Sequence, residues 1–338
     1  MKRIVLLLIL LVGFTSFSYS KIIRVNNLEE SIPEENLYSS LEDAYKNSVS
    51  GDTLYIEGSN IPYGDLNIEK RLTLIGQGYF TNENLGISSN KFETIVGRIT
   101  LSNGSSGSKI YGLKFNQNGI SGVTIYVGNV ELANCFFRGT IRLSENNLEN
   151  IVINRNYFST NGGFQISSII SPPQNLILSN NIVIGNFYLK DQSSGTITNN
   201  VFKGSSFSVG ENSNLQIHNN IFLGTKASDY EMPEEGSNIS HNISVATPFS
   251  DGNNNQINVV EGDVFITGDH SSDGKFKIRE GGPADGKGKD GIDIGPFGGP
   301  KPYKLSGLPD IPTIYDFSTS GFGNADGKLP ITIKVSAN

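Results

Sequence analysis

The chain has 338 residues, with 26 basic and 33 acidic side chains and a net charge of −7. Such an acidic chain lacks the positive charge that neutralises phosphate groups, which argues against nucleic acid and anionic lipid as partners. Cys135 is the only cysteine, so an intramolecular disulfide is excluded and stability depends on a buried core. Only 17 % of the residues are charged, whereas 39 are glycine, a composition that suits short strands joined by tight corners.

The N-terminus has the features of an export signal, residues 1–20. Lys2 and Arg3 precede an apolar run over residues 4–14, and small residues precede Lys21. The run is too short to cross a bilayer and no second one follows, so no membrane span is predicted. Loss of the two basic residues lowers the net charge from −7 to −9. We expect a mature chain that is extracellular, at the cell surface or in the periplasm.

Residues 21–52 are predicted to form an N-terminal cap. Ser39 and Glu42 form a capping-box pattern that predicts a short amphipathic helix, closed by Gly51. Residues 53–56 and 72–75 then show the alternation of strands. The helix is therefore expected to cover the first coil of a β structure.

Six segments between residues 132 and 244 align without gaps. The fourth position of each is occupied, in order, by Cys135, Asn156, Asn181, Asn200, Asn220 and Asn242. The steps between them are 21, 25, 19, 20 and 22 residues, and residues 110–115 fit one step earlier. A step near twenty with alternating apolar residues is typical of one coil of a β-solenoid.

Stacked coils place equivalent residues above one another. The asparagines can pass amide hydrogen bonds from coil to coil, and asparagine tolerates the left-handed backbone of a sharp corner. Two positions later, an interior apolar stack is predicted from Phe137, Phe158, Val183, Phe202 and Phe222. The sequence therefore predicts an all-β protein, a right-handed parallel β-helix with a short N-terminal helix.

A second strand follows a glycine in most coils, and its outward positions are candidates for binding. The alignment places in one outward column Thr100, Tyr126, Arg142, Gln165, Tyr188 and Ser208. This register turns Ile125 and Val127 inward. Four coils at about 4.8 Å span roughly 14–15 Å, the length of a few sugar rings. The candidate glycan-binding residues are Tyr126, Arg142, Gln165 and Tyr188, because tyrosine stacks on sugars while arginine and glutamine bond hydroxyls or a carboxylate. Strand propensity alone would also place tyrosine there.

The regular repeat ends before the C-terminus. Residues 281–302 are dense in glycine and proline and are predicted to be irregular. Residues 311–317 and 329–337 are predicted to form two strands. We expect the β-helix and its closing segment to span residues 53–300, followed by a small β-strand tail over residues 301–338.

Two parts of the chain resemble the pectate-lyase-like β-helix superfamily. Residues 40–56, followed by 72–78, resemble its N-terminal cap and first coils, and residues 277–284 with 290–299 resemble the closing segment of many secreted bacterial β-helix proteins. The resemblance covers roughly residues 37–300. It implies the fold and export, but no single activity, since the superfamily contains lyases, hydrolases and adhesins.

The acidic groups that the resemblance would imply are not found together on these coils. Hydrolases of the superfamily carry two or three aspartates with a histidine and an Arg-x-Lys, and its lyases carry acidic Ca²⁺ ligands with a basic residue. The best candidate catalytic pair is Asp191 with Glu211 on adjacent coils, with Glu145 two coils earlier. Carboxyl groups about 5 Å apart would suit a retaining glycosidase or share a cation. The alternative is that both acids occupy a solvated corner.

No cofactor is predicted, and Ca²⁺ is the only metal ion that the sequence brings into question. Asp251, Asn253 and Asn255 are similar to the start of a calcium loop. Gln256 replaces the required glycine, and Gly262 stands where a bidentate glutamate belongs. A solvated loop is the better interpretation, and no metal ligand is predicted.

The three histidines do not form a cluster in the sequence. His218 faces outward beside Thr198 and Ser240 in the register, whereas His241 and His270 lie further along the chain. We therefore expect His218 to be an exposed strand residue.

The favoured function is a non-catalytic β-helix protein outside the cell that binds carbohydrate or has a surface-structural role. One alternative is a polysaccharide lyase or glycoside hydrolase. Another is an adhesin that binds a protein partner, which would need a broad exposed apolar patch.

Overall fold

A computed structural model describes residues 20–88, 90–116, 121–166, 172–204, 206–233, 236–268, 270–323 and 326–337, with the backbone alone for residues 121, 165 and 166. The predicted export signal lies outside these ranges, apart from Ser20. Within them, no helix has the length and apolar character needed to cross a membrane.

The described coils contribute strands to three parallel sheets around a common interior. Sheet 1 contains, in spatial order, the strands Leu37–Tyr38, Ile22–Val25, Thr53–Ile56, Thr73–Ile75, Lys109–Tyr111, Val130–Ala133, Ile151–Asn154, Leu176–Ser179, Ser194–Thr198, Asn214–His218 and Asn238–Ser240. Sheet 2 contains Ile95–Val96, Lys114–Phe115, Phe136–Phe137, Tyr157–Phe158, Ile182–Val183, Val201–Phe202, Ile221–Phe222 and Ile243–Ser244. Sheet 3 contains Leu66–Ile68, Ile99–Leu101, Ser121–Ile125, Thr140–Leu143, Gly163–Ile166, Asn186–Leu189, Phe207–Val209 and Tyr230–Glu231. The prediction of a right-handed parallel β-helix is confirmed.

The predicted interior apolar stack is present. Phe137 stacks on Phe158 with ring centroids 5.0 Å apart, and Phe202 stacks on Phe222 at 5.2 Å. Val183 lies between them and pairs with Phe158 on one side and with Phe202 on the other, and all side chains of the column are buried. Because each ring lies one coil rise from the next, the core is continuous along the axis.

The predicted asparagine ladder is also present. The backbone N and the side-chain Nδ2 of Asn181 both donate to Asn200 Oδ1, at 2.9 Å each, and those of Asn200 donate to Asn220 Oδ1. Asn200 Nδ2 also donates to the Leu178 carbonyl of the coil before. The fully buried side chain of Asn200 therefore accepts two hydrogen bonds and donates at least two. Without these partners, burial of its amide would cost folding free energy.

The sharp corner of each coil lies one residue before the position of the asparagine ladder. At this corner, the residues with a left-handed backbone, at φ between 55° and 66°, are Gly112, Asn134, Arg155, Asn180, Asn199, Asn219 and His241. Asparagine and glycine adopt this conformation at the lowest cost, which explains the repeated Asn-Asn pairs. One asparagine makes the turn and the next one links the coils.

The N-terminal cap contains the predicted helix, with one correction. The helix spans Leu41–Lys46 and buries Leu41 and Ala44 against the first coil. Ser40, rather than Ser39, is its N-cap, and its hydroxyl accepts from the Asp43 backbone N–H at 3.0 Å. The sequence offered two adjacent serines, and the three-residue spacing to an acid is also met from Ser40.

Residues 261–312, here called the strap, pack along the outside of the coils. The strap begins with the short helix Glu261–Val264 and has 3₁₀ turns at Gly274–Phe276, Lys289–Gly291 and Leu305–Gly307. It covers the outward column of sheet 2: Phe136, Tyr157, Ile182, Val201, Ile221 and Ile243. From the strap, this second apolar core takes Val264, Phe265, Phe276, Ala284, Ile294 and Tyr303.

The corner residues hold the strap by hydrogen bonds. Asn219 Oδ1 accepts from the Lys289 backbone N–H at 2.7 Å, and Asn180 Nδ2 donates to the Gly298 carbonyl at 2.7 Å. Further along, the side chains of Asn134 and Arg155 bond Leu308 and Asp310 of the strap. From Lys289 to Leu308 the strap meets successively earlier corners, those of Asn219, Asn180 and Asn134. Asp273, nearer its start, already contacts Asn84.

A buried polar cluster fixes the strap near the first coils. Asp273 is fully buried and accepts hydrogen bonds from Asn84 Nδ2, Tyr303 Oη and the Ser306 backbone N–H. The Tyr303 hydroxyl also lies 2.6 Å from that of Tyr79. Burial raises the pKa of both phenols far above the ordinary value, which keeps them protonated as donors.

The chain ends in an antiparallel hairpin of Thr313–Thr319 and Ile331–Ser336, close to the two predicted strands. Contacts of the strap with the coils continue past residue 300, the predicted end of the β-helix, as far as Asp310. The division into domains stays a prediction.

Candidate functional site

The outer face of sheet 3 is the candidate site. Its outward side chains Arg142 and Tyr188 are exposed, and Tyr188 keeps 43 % of its surface accessible. The outward column of sheet 2 is, by contrast, buried under the strap. Sheet 3 therefore presents a regular row of strand side chains to solvent, at the coil spacing of about 4.8 Å.

The predicted column holds over four coils. Arg142 pairs with Gln165, Gln165 with Tyr188, and Tyr188 with Ser208 in the parallel register. The column continues to Glu231, where the Ser208 hydroxyl donates to the carboxylate at 2.6 Å. Two of the candidate binding residues thus flank the third, on three consecutive coils.

The position of Tyr126 in the column was predicted wrongly. Thr124, rather than Tyr126, pairs with both Thr100 and Arg142. Val123, Ile125 and Val127 alternate along the strand, so the repeat pattern allows either neighbouring pair of them to lie beside Ile141 and Leu143. The structure uses Val123 and Ile125, two residues earlier than predicted, with a bulge at Gly122 before them. Tyr126 is exposed but follows the strand, two residues beyond the column.

A displacement by two residues preserves which side chains face the interior. Val123 and Ile125 are fully buried, and Val127, predicted to face inward with Ile125, is partly buried and packs against the core. Alternation alone could not distinguish which two of these three residues pair with the next coil.

Two side chains of the column differ in how they are held. The Tyr188 hydroxyl accepts from the Ser206 hydroxyl at 2.7 Å, which orients the phenol while its ring remains exposed. Arg142 has no ion-pair partner among the described residues. Its guanidinium is therefore available for hydroxyl or carboxylate oxygens of a ligand. For Gln165 the structure describes the backbone pairing alone.

The acidic pair lies in adjacent turns at the edge of sheet 3. Asp191 and Glu211 are both exposed, and the Gln192 backbone N–H donates to the Glu211 carbonyl at 2.9 Å. The Asp191 carboxylate lies over Gly210, since a Cβ there would be 2.0 Å from its Oδ1. The backbone adjacency agrees with the register. The catalytic role of the pair stays a prediction.

The described part of the chain contains no group of three or more His, Cys, Asp or Glu side chains that could hold a metal ion. Asn255, considered above as part of a calcium loop, is buried and extends the asparagine ladder. Its Oδ1 accepts from both the backbone N and the Nδ2 of Asn242, at 3.0 and 3.1 Å. This rung escaped the sequence alignment because it follows Asn242 by only 13 residues, much less than one coil.

His218 occupies its predicted register position but not its predicted environment. It pairs with Thr198 and lies on the outer side of sheet 1, yet it is half-buried beside the strap rather than exposed. Burial lowers its pKa, with further lowering by Lys289 and His241 and a smaller opposing effect of Asp290. The neutral imidazole is therefore favoured in the folded state.

The strap-covered column is what sequence analysis missed. In five of the six aligned segments, the fifth and sixth positions are both apolar, as in Tyr157–Phe158 and Val201–Phe202. A strand with one face in the core and the other in water would alternate apolar and polar residues. The double apolar pattern was the available signal that both faces of sheet 2 are covered.

Comparisons with known proteins leave the function open. No protein-family model and no curated protein matches the chain. Among solved structures, the chain is similar to the crystal structure of a pectin methylesterase from Aspergillus niger, at 14 % identity. The match covers 71 % of this chain and 84 % of that one, with a TM-score of 0.27. The two backbones thus superpose poorly, and the fold assignment rests on the strand pairing described above.

Proposed function

We propose that the protein is a secreted or cell-surface β-helix protein that binds carbohydrate, without cleaving it, on the outer face of sheet 3. The observation that carries the proposal is the exposed column in which Arg142 and Tyr188 flank residue 165 on three consecutive coils. Two coil steps separate Arg142 from Tyr188 by about 10 Å, so one short oligosaccharide could contact both.

The chemistry of the column suits a sugar chain. The exposed ring of Tyr188 offers a flat apolar surface for the C–H face of a pyranose, and its hydroxyl is oriented by Ser206. Arg142 supplies several donors without a competing carboxylate among the described residues. Side chains carried on the paired strands of a sheet would need little reorganisation on binding.

The test is a panel of soluble polysaccharides scored for both retention and cleavage. The double variant Arg142→Ala/Tyr188→Ala should lose at least about tenfold in affinity, since a hydrogen-bonding cation and a stacking ring are removed together. A matched control is Ile177→Ala/Gln216→Ala, which removes two exposed side chains from the outer face of sheet 1. Equal affinity of the two double variants would reject the proposal.

Cleavage of any member of the panel would point to the enzyme alternative. Asp191→Asn and Glu211→Gln should then abolish cleavage and preserve retention, as expected for a pair of catalytic carboxylates. Cleavage that survives both substitutions would exclude the pair as the catalytic site.

Protein binding is the second candidate function, and the C-terminal hairpin favours it. On one face of the hairpin, Ile314 pairs with Val335 and Phe317 pairs with Ile333. All four side chains are between 43 and 56 % exposed and together form an apolar patch. A chain shortened to residues 21–312 that still retains polysaccharide but no longer adheres to a protein-coated surface would support this second function.

A further inference from the structure

A cleft of about 210 Å³ lies between the first coils and the end of the strap. Tyr55, on the outer side of strand Thr53–Ile56, and Gln77 line one side. Pro309 and Pro312, which precede the terminal hairpin, line the other. The cleft belongs to sheet 1 and the strap, so it is separate from the candidate site on sheet 3.

The polar side of the cleft is a chain of fixed hydrogen bonds. Asn90 Nδ2 donates to Gln77 Oε1 at 2.5 Å, and Gln77 Nε2 donates to the Tyr55 hydroxyl at 3.3 Å. Asn90 Oδ1 in turn accepts from the Phe92 backbone N–H at 2.9 Å. The amide orientations are thereby set, and each amide nitrogen has a second hydrogen. The Tyr55 phenolic proton has no acceptor among the described residues, which leaves it for a ligand.

The opposite side of the cleft is mostly apolar. It is formed by Leu308, Pro309, Ile311, Pro312 and Ile314, with the polar side chain of Thr313 between the last two. None of the described residues that line the cleft carries a charge at neutral pH. An anionic or cationic ligand would therefore lose its hydration without gaining an opposite charge, which is strongly unfavourable. The ligand class that fits is neutral, with an apolar face and a polar edge.

We propose that this cleft binds a single neutral pyranose ring, such as the terminal unit of a glycan. The C–H face of the ring would pack on the prolines, while its hydroxyls would bond Tyr55 and Gln77. The volume lies below the roughly 300–1,000 Å³ of sites for larger ligands, so one ring enters and a chain of rings does not. This site goes beyond the proposed function, because it could bind sugar even if sheet 3 binds none.

The experiment measures saturation-transfer NMR of methyl glucoside, galactoside, mannoside and xyloside with the full mature chain. Glucuronic and galacturonic acid serve as charged counterparts of two of these sugars, and a hexaproline peptide represents the competing ligand class. We expect at least one neutral glycoside to bind with a Kd on the order of 1 mM, and the uronic acids to bind more weakly.

Two substitutions assign the binding to the cleft. Tyr55→Phe keeps the ring and removes the free donor, and should weaken binding about three- to tenfold. Gln77→Leu removes the amide at similar size and should weaken it further. Gln216→Leu makes the same exchange at an exposed position on the outer face of sheet 1 and is the matched control, for which we expect unchanged glycoside binding. Circular dichroism and a thermal unfolding curve verify that each variant is folded.

Four results would overturn the proposal. These are no saturation transfer from any glycoside, equal binding by wild type and Tyr55→Phe, stronger binding of a uronic acid than of its neutral sugar, or binding of hexaproline in place of the sugars. Loss of polysaccharide retention in the Arg142→Ala/Tyr188→Ala variant, with monosaccharide binding intact, would separate the two sites. Polysaccharide retention that is kept in this variant, but lost in Tyr55→Phe and Gln77→Leu, would support the cleft and reject the function proposed for sheet 3.

Discussion

The outer faces of sheet 2 and sheet 3 are built from the same coils, but the first is buried and the second is exposed to solvent. Ile182 and Tyr188 stand six residues apart in one coil and both point away from the interior. Ile182 has no accessible surface, whereas Tyr188 keeps 43 %. Alternation along a strand therefore decides which residues point outward, but it does not decide whether an outward side chain is exposed to solvent or covered by another segment.

The difference comes from the strap, which approaches one face and not the other. It buries the apolar column of sheet 2 and satisfies its own backbone on the corner asparagines, for example through Asn180 and Asn219. Because the strap already covers the outer face of sheet 2, this face is not accessible to a ligand. The comparison therefore directs the search for function to sheet 3 and to the cleft beside the end of the strap.

The largest expected effect separates the two faces directly. Ile182→Asp would bury an unpaired carboxylate under the strap and should cost more than about 4 kcal/mol of the free energy of unfolding. Tyr188→Asp, in the same coil, should change it by only about 0.5–1 kcal/mol. Urea denaturation of both variants measures the difference. Similar losses for the two would contradict the distinction between a covered and an open face.

The next effect concerns the polar attachment of the strap. Asp273→Asn replaces an acceptor of several hydrogen bonds by a group that places a donor among them, and should cost about 2–4 kcal/mol. Limited proteolysis should also cut the strap faster than in the wild type. Asp263→Asn, at an exposed position of the strap, is the control and should behave as wild type. A stable, protease-resistant Asp273→Asn protein would show that the apolar contacts alone hold the strap.

A smaller effect depends on pH. The pKa of His218 is lowered in the folded state, mainly by burial and also by Lys289 and His241, with Asp290 opposing. As the pH falls through the unfolded value of about 6.5, the unfolded chain takes up the proton first, so stability is full above this pH and decreases below it. Urea unfolding at about pH 7.5 and about pH 5.5 should show a smaller decrease for His218→Gln than for wild type. An equal decrease would remove His218 as a cause.

The smallest effect is expected from a charged contact of the strap. Lys203 and Glu261 form an ion pair at 2.6 Å, with 43 % of each side chain accessible. Glu261→Gln should cost less than about 1 kcal/mol, and the cost should disappear in about 1 M salt because exposed pairs are screened. Thermal unfolding at two salt concentrations measures it. A cost comparable to that of Ile182→Asp would show that charge, rather than apolar burial, attaches the strap.

The spacing of the repeats was sufficient to predict the coil register, the phenylalanine stack and the ladder from Asn156 to Asn242, because these contacts join equivalent positions of neighbouring coils. The register of Tyr126 was wrong by two residues, since Val123, Ile125 and Val127 are three alternating apolar residues and only two of them pair with Ile141 and Leu143. A shift by two keeps the same side chains inward, so the repeat pattern carries no information about which pair is used.

The sequence by itself determined the periodic part of this protein, because a residue type repeated every twenty or so positions stacks on its equivalents in the neighbouring coils. The tertiary structure alone decided the rest. Residues 261–312 have no repeat, and they bury Ile182 and half-bury His218 through contacts with coils far away in the chain. Tyr55 and Pro312 likewise meet across one cleft although they lie at opposite ends of the sequence. Burial by a distant, non-repeating segment depends on where that segment docks, and docking is a property of the folded surface rather than of any local pattern.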